Sequence, residues 1–115
     1  MTFRHMNFAT KEIAGRGIRI SARNEEDREI GRAFLYLLNN DLHQKPFGLM
    51  EDLLVAEEMR GQGIGTKLVQ ELIREAKKQG CYKLICTSRY GKDGVHKMYE
   101  GLGFKNHGLE FRLDF

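Results

Sequence analysis

The chain has 115 residues, 41% of them hydrophobic and 30% charged, which predicts one soluble globular domain over residues 1–115. No apolar run approaches the ~20 residues of a membrane span, and Met1–Met6 lacks the apolar core of a signal peptide, so we expect a cytoplasmic protein without a membrane partner. The net charge is +3, but no basic run is interleaved with aromatic residues, so nucleic acid is not an expected partner.

The first part of the chain predicts two strands. Alternation of apolar and polar residues begins at Arg16 and predicts a half-buried strand, whose inward residues are Ile18, Ile20 and Ala22. Asn24–Asp27 is typical of a turn. The run from about Ile30 to Leu38 is apolar on both faces, which predicts a central strand. A polar loop, Asn39–Pro46, follows it.

A third strand, from about Gly48 to Ala56, carries two carboxylates between apolar residues, Glu51 and Asp52. Side chains alternate along a strand, so one face is expected to carry Glu51, Leu53 and Val55, and the other Asp52 and Leu54. Burying a charge is costly. Either these carboxylates have a chemical role, or one of them lies in water at the open end of the sheet.

The second half of the chain predicts two helices and two strands. A long helix is indicated by helical spacing of Ile64, Leu68, Leu72, Ile73 and Ala76, and Gly80 ends it. The short strand Tyr82–Thr87 is expected to lie parallel to the third strand. A second helix is predicted from Asp93, as N-cap, to Gly103. Alternation over Leu109–Phe115 predicts a last strand.

Two cysteines, Cys81 and Cys86, have no His or Cys partners at metal-ligand spacing. A chain of this size with two cysteines is also not a disulfide scaffold. Both are interpreted as reduced packing residues, and no metal is expected.

A joint containing three glycines lies between the third strand and the long helix. Gly61, Gly63 and Gly65 allow backbone N–H groups to approach a ligand closely, and the first helical turn favours a phosphate. The order Thr66-Lys67 after the last glycine differs from the Gly-Lys-Ser/Thr of nucleotide-hydrolase loops. The spacing also fails as a dinucleotide fingerprint. The joint is therefore interpreted as a diphosphate cradle of another kind.

The joint matches the pattern R/Q-x-x-G-x-G/A at Arg60–Gly65, and His96–Phe104 is similar to F-Y-E-x-L-G-F. On these two motifs the chain resembles the GCN5-related N-acetyltransferase (GNAT) family. The resemblance implies an α/β (α+β) fold, with a mixed, mostly antiparallel twisted sheet and a central parallel strand pair flanked by helices. The family's N-terminal helices have no counterpart in residues 1–15. The acceptor wall is then expected from the Asn39–Phe47 loop, the N-terminal segment, or a second subunit in a possible homodimer.

The resemblance also implies acetyl-CoA as cosubstrate. The residues implied in holding it are Leu53, Val55, Arg60, Gly61, Gln62, Gly63, Ile64, Gly65 and Thr66. Backbone N–H groups near Val55 would stabilise the oxyanion.

The implied catalytic residues are Glu51, as general base through water, and Tyr99, as general acid toward the CoA thiolate. Asp52 is the second choice for the base. His96, one helical turn before Tyr99, is either an alternative acid or a surface residue. An asparagine common in the family before its final helix is not evident here, and Arg89, Lys92 or Lys97 could meet the adenosine phosphate instead.

The function implied is transfer of an acetyl group from acetyl-CoA to a primary amine, by direct attack in a ternary complex. The acceptor is either a small molecule or a protein amine. The alternative is a non-catalytic acetyl-CoA-binding sensor or regulatory module.

Overall fold

A four-stranded mixed sheet and two α-helices form the fold, in a computed structural model that describes residues 5–115. The strands are β1 (Arg16–Arg23), β2 (Glu29–Leu38), β3 (Phe47–Val55) and β4 (Leu84–Cys86). The helices are α1 (Ile64–Lys78) and α2 (Asp93–Gly101), with a 3₁₀ turn at Glu57–Met59. The predicted fold class is confirmed. Residues 1–4, part of the segment considered for a signal peptide, lie outside the described residues.

The strands are ordered β1-β2-β3-β4, with antiparallel pairing up to β3 and a parallel β3–β4 pair, as predicted. β2 lies between β1 and β3, and its alternate residues Ala33, Leu35 and Leu37 are at most 4% exposed. These residues face α1, because the apolar stripe of that helix supplies the other half of the core. Within residues 5–115 no helix is long and apolar enough to cross a bilayer.

Helix α1 anchors the core. Val69 and Leu72 are fully buried, as its helical spacing requires. The helix ends where predicted: Gly80 has a φ of 80°, and its N–H donates to the Lys77 carbonyl. The body of the protein is therefore a sheet with α1 covering one face.

The second helix differs slightly from its predicted bounds. Asp93 is the first helical residue and makes no capping hydrogen bond, so its predicted N-cap role is wrong. The helix ends at Gly101, and Gly103, with a φ of 100°, donates its N–H to the Glu100 carbonyl. α2 and the residues after it pack Met98, Tyr99, Leu102 and Phe104 against the core.

Strand β3 contains a β-bulge at Asp52, whose φ of 53° is left-handed. Its pairing with β2 shifts there, and the flanking pairs are Phe34 with Glu51 and Arg32 with Leu54. The single face predicted for Glu51, Leu53 and Val55 is therefore wrong. Glu51 lies on the face of Phe34, whereas Leu53 packs against the core on the helix side. The bulge rotates the second half of β3 relative to the first.

The predicted strand Leu109–Phe115 does not form in the described chain, so that prediction is wrong for the single chain. A strand needs a neighbour for its N–H and C=O groups, and no backbone group of this segment bonds to the sheet. Its exposed fractions are 68% for Leu109, 91% for Phe111, 78% for Leu113 and 113% for Phe115. β4 consequently lies at the edge of the sheet among residues 5–115.

Candidate active site

A cleft of about 200 Å³ opens where β3 and β4 separate. β4 pairs with β3 only up to Met50, so from Glu51 onward the described chain has no strand beside β3 on that side. Backbone groups of this half of β3 are consequently available to a ligand. The lining residues are Met50, Glu51, Asp52, Leu53, Cys86, Thr87 and Tyr99. The structure thus brings Glu51, Leu53 and Tyr99, all predicted site residues, into one cleft.

The bulge determines how the two carboxylates sit in this cleft. Asp52 is exposed, and its carbonyl accepts a 3.2 Å hydrogen bond from Arg32 Nη1. Glu51, the residue before Asp52 in the strand, is half-buried. Asp52 has a backbone conformation that few residues other than Gly, Asn and Asp adopt readily.

The glycine loop follows β3 after the 3₁₀ turn Glu57–Met59 and has the geometry of an anion site. Gly61 and Gly63 both have a φ of 81°, and a Cβ at either position would meet no atom within 4 Å. α1 starts at Ile64 with Gly63 as its N-cap. Within residues 5–115, no backbone N–H from Gly61 to Thr66 donates a hydrogen bond to another backbone group. The loop therefore presents free donors at the positive end of the helix dipole.

The other predicted cofactor residues hold the loop against β3. Arg60 donates from Nε to the Val55 carbonyl at 3.1 Å, so this side chain braces the loop. A Cβ at Gly65 would lie 3.7 Å from Val55 Cγ2, which places the helix start in contact with the strand end. Gln62 is exposed.

Tyr99 lies half-buried on α2, with its ring 5.5 Å from the ring of Phe104. Burial, and then the neighbouring Cys86, raises the pKa of Tyr99 to about 12. The phenol is therefore neutral near pH 7 and can donate a hydrogen bond into the cleft. The packing of α2 on the core holds Tyr99 beside the ends of the strands.

Sequence reasoning missed Cys86 and Thr87 as lining residues of the cleft. Burial, and then the Glu51 carboxylate, raises the pKa of Cys86 to about 11, so its thiol is protonated at neutral pH and poorly nucleophilic. Both cysteines are free thiols, in agreement with the sequence interpretation. The apolar run that contains Cys86 indicated a buried strand. Nothing in the sequence indicated the position at which β3 and β4 separate.

A second cavity of about 280 Å³ continues the cleft and shares Leu53 and Tyr99 with it. Its remaining lining residues are Ser88, Arg89, Lys92 and Val95. Two of these are cations that the sequence suggested as phosphate contacts. His96 contacts the loop after β4: its Nε2 lies 3.1 Å from both Ser88 Oγ and the Arg89 carbonyl, so the side chain fixes that loop.

A mixed sheet that separates beside a bulged strand, with a glycine loop leading into a helix, defines a mixed α/β protein with an open cleft at the end of its parallel strand pair. The family model described as "Acetyltransferase (GNAT) family" matches residues 5–104. The chain belongs to this family.

Curated relatives carry two kinds of name. Glucosamine 6-phosphate N-acetyltransferase of Trypanosoma brucei brucei is 37% identical over 67 residues, which are 58% of this chain and 44% of that protein. N-alpha-acetyltransferase 30 of Schizosaccharomyces pombe is 30% identical over 90 residues, 76% of this chain and 58% of that protein. The chain thus spans about half the length of the curated relatives it matches.

Solved structures support the same fold. A Trypanosoma brucei acetyltransferase superimposes with a TM-score of 0.77 at 29% identity, covering 86% of this chain and 69% of that chain. Glucosamine-6-phosphate N-acetyltransferase of Arabidopsis thaliana gives a TM-score of 0.75 at 24% identity, covering 86% of this chain and 68% of that chain.

Proposed function

We propose that this chain is an acetyl-CoA-dependent N-acetyltransferase that acts on a primary amine in a ternary complex. The observation that carries the proposal is the glycine loop: Gly61 and Gly63 at a φ of 81° precede α1, and the N–H groups of 61–66 donate to no backbone group among residues 5–115. β3 leads from the cleft lined by Glu51 and Tyr99 to the 3₁₀ turn that precedes that loop. Diphosphate and reacting group would thus be held at the two ends of one groove.

The cofactor would be held mainly by backbone. The N–H groups of Gly61 to Thr66 would bind the diphosphate, as at other helix N-termini. Arg89 and Lys92, which line the second cavity, would supply positive charge for a phosphate. The pantetheine arm would lie along the free edge of β3 near Leu53 and Val55.

The transfer would begin with attack of the amine nitrogen on the thioester carbonyl. A backbone N–H from the bulged half of β3 would stabilise the oxyanion, because a donor fixed in place costs no reorganisation during the reaction. Glu51 would take the amine proton through water. As the C–S bond breaks, Tyr99 would give its proton, or a hydrogen bond, to the CoA thiolate, and solvent would restore it.

Two acceptor classes are suggested by the names of the relatives. An aminosugar phosphate and a protein N-terminus both present a primary amine, and the loop 39–46 and the open face of the sheet would distinguish them. The test is CoA release with acetyl-CoA and a panel that contains glucosamine 6-phosphate, glucosamine, and peptides with free or blocked N-termini.

Turnover on one class, abolished when its amine is blocked, is the expected result. Binding of acetyl-CoA without turnover on any amine would support the alternative, a non-catalytic acetyl-CoA sensor. Neither binding nor turnover would contradict both functions.

A further inference from the structure

The face of the sheet opposite α1 carries an arginine near the cleft. Side chains alternate along β2, and Ala33 is buried under α1, so Arg32 and Phe34 point to the other face, where both are half-buried. Phe34 is the cross-strand partner of Glu51, the expected general base. Arg32 is the partner of Leu54, on the far side of the bulge. Along β2, Arg32 is thus the outward residue next to the one that faces Glu51.

The guanidinium of Arg32 reaches the bulge itself. Its Nη1 donates to the Asp52 carbonyl at 3.2 Å, and Asp52 directly follows Glu51 in the strand. Among residues 5–115, this is the one hydrogen bond of the Arg32 side chain, and no carboxylate forms an ion pair with it. A guanidinium has five N–H donors. Arg32 therefore keeps both its charge and most of its donors for a ligand.

A second arginine on the same face of the sheet is neutralised by a carboxylate. Arg19 donates from Nε and Nη2 to the two oxygens of Glu29, at 3.0 and 2.7 Å. Ser21 donates to Oε1 of the same carboxylate at 2.6 Å. Both oxygens of Glu29 are thus occupied by residues of β1. In the part of the chain that the structure describes, this face carries one paired arginine and one, Arg32, that is not paired.

We propose that Arg32 binds an oxyanion group, a phosphate or a carboxylate, on the amine acceptor. The inference rests on the proposed function, in which the amine approaches Glu51 and attacks the thioester in the cleft. Glu51 and Asp52 would repel an anionic acceptor unless a cation lay close to them, and the hydrogen bond to the Asp52 carbonyl holds Arg32 there. The planar fork of a guanidinium matches the oxygens of phosphate and carboxylate. The preferred acceptor is thus an amine that carries an anionic group, not its neutral analogue.

CoA release with matched pairs of acceptors tests this preference. One pair is glucosamine 6-phosphate and glucosamine, and the other is 4-aminobutyrate and 4-aminobutyramide, so that the anionic group is the main difference within each pair. For at least one pair, the wild type should have a kcat/KM about 10–100-fold higher with the anionic member, which is the range for a charge-assisted hydrogen bond. The pair that responds distinguishes phosphate from carboxylate.

Three variants assign the preference to Arg32. Arg32→Gln keeps an amide donor for the Asp52 carbonyl but removes the charge, so it should raise KM for the anionic acceptor by about 10–100-fold. Its kcat/KM for the neutral acceptor should equal that of the wild type. Arg32→Lys, which keeps the charge but not the fork, should retain part of the preference. Arg28→Gln is the matched control, because it removes the same charge from an exposed position directly before β2, and it should leave both acceptors unaffected.

Equal losses for the anionic and neutral acceptors in Arg32→Gln would mean that Arg32 only braces the bulge, which would overturn the inference. Preference of the wild type for the neutral member of both pairs would overturn it as well, and this comparison needs no variant. In either case turnover itself would still support the acetyltransferase. Binding of acetyl-CoA without turnover on any amine would instead contradict the proposed function, and the inference would fall with it. Melting temperatures verify that each variant is folded.

Discussion

Replacing Gly63 by alanine should weaken both the fold and the binding of acetyl-CoA. Gly63 has a φ of 81°, and an added Cβ would meet no atom within 4 Å, so the effect would come from the backbone alone. The left-handed conformation costs an L-residue about 1–2 kcal/mol. Alanine recovers about 0.4–1 kcal/mol of this by restricting the unfolded chain. The expected net loss is about 1 kcal/mol, or about 4 °C in the melting temperature of a chain of this size.

Gly94→Ala is the matched control. Gly94 lies in α2 without a positive φ, and its Cβ would also meet nothing within 4 Å. Alanine there should stabilise the protein by roughly 0.5–1 kcal/mol and raise the melting temperature. The same chemical change is thus expected to have opposite signs at two glycines that differ in backbone conformation.

Differential scanning fluorimetry measures both variants, and calorimetry measures their affinity for acetyl-CoA. If the loop must hold this backbone to present its amides, Gly63→Ala should raise the dissociation constant about tenfold, equivalent to about 1.4 kcal/mol. Gly94→Ala should leave the affinity unchanged. Equal stability of Gly63→Ala and wild type would refute the strained-loop argument. Unchanged affinity would show that the loop does not hold the diphosphate.

Three further substitutions test single side chains. Glu51→Gln should lower kcat/KM by about 10²–10⁴-fold at pH 7. The loss should be smaller at alkaline pH, because the amine loses its proton unaided there. An equal loss at every pH would contradict the role of Glu51 as base. Tyr99→Phe should lower kcat by about 10²-fold or more without changing acetyl-CoA affinity, and unchanged kcat would exclude a general acid there. Arg19, and then Ser21, lowers the pKa of Glu29 from 4.5 to about 2, so this stabilisation is complete above pH 4.5 and is lost as the pH falls toward 2. Wild-type melting temperatures should therefore approach those of Glu29→Gln over that range, and a constant difference down to pH 2 would be inconsistent with the shift.

The elements with strong local signals were predictable from the sequence. Periodicity over Ile64–Lys78 and alternation in β1 depend on near neighbours, so the pattern identifies both the element and its buried side. The glycine loop was predictable for the same reason, because a positive φ at Gly61 and Gly63 is a local requirement of the chain.

Features that depend on distant pairing were not predictable. The bulge at Asp52 arises from a register shift between β2 and β3, and it overturned the predicted face of Glu51. Cys86 reaches the cleft because β3 and β4 stop pairing just there. The strand predicted at 109–115 does not form, because alternation records only a local preference and a strand also needs a neighbour, which the described chain does not give it.

The most direct test of the central claim is a titration of the ¹⁵N-labelled protein with acetyl-CoA, followed by amide chemical shifts. Binding of the diphosphate to the loop predicts the largest shifts at the amides of residues 61–66, which donate to no backbone group in the described chain. Pantetheine, which lacks the diphosphate, should leave these amides nearly unshifted. Saturable binding of acetyl-CoA that moves other amides and leaves residues 61–66 in place would contradict the account.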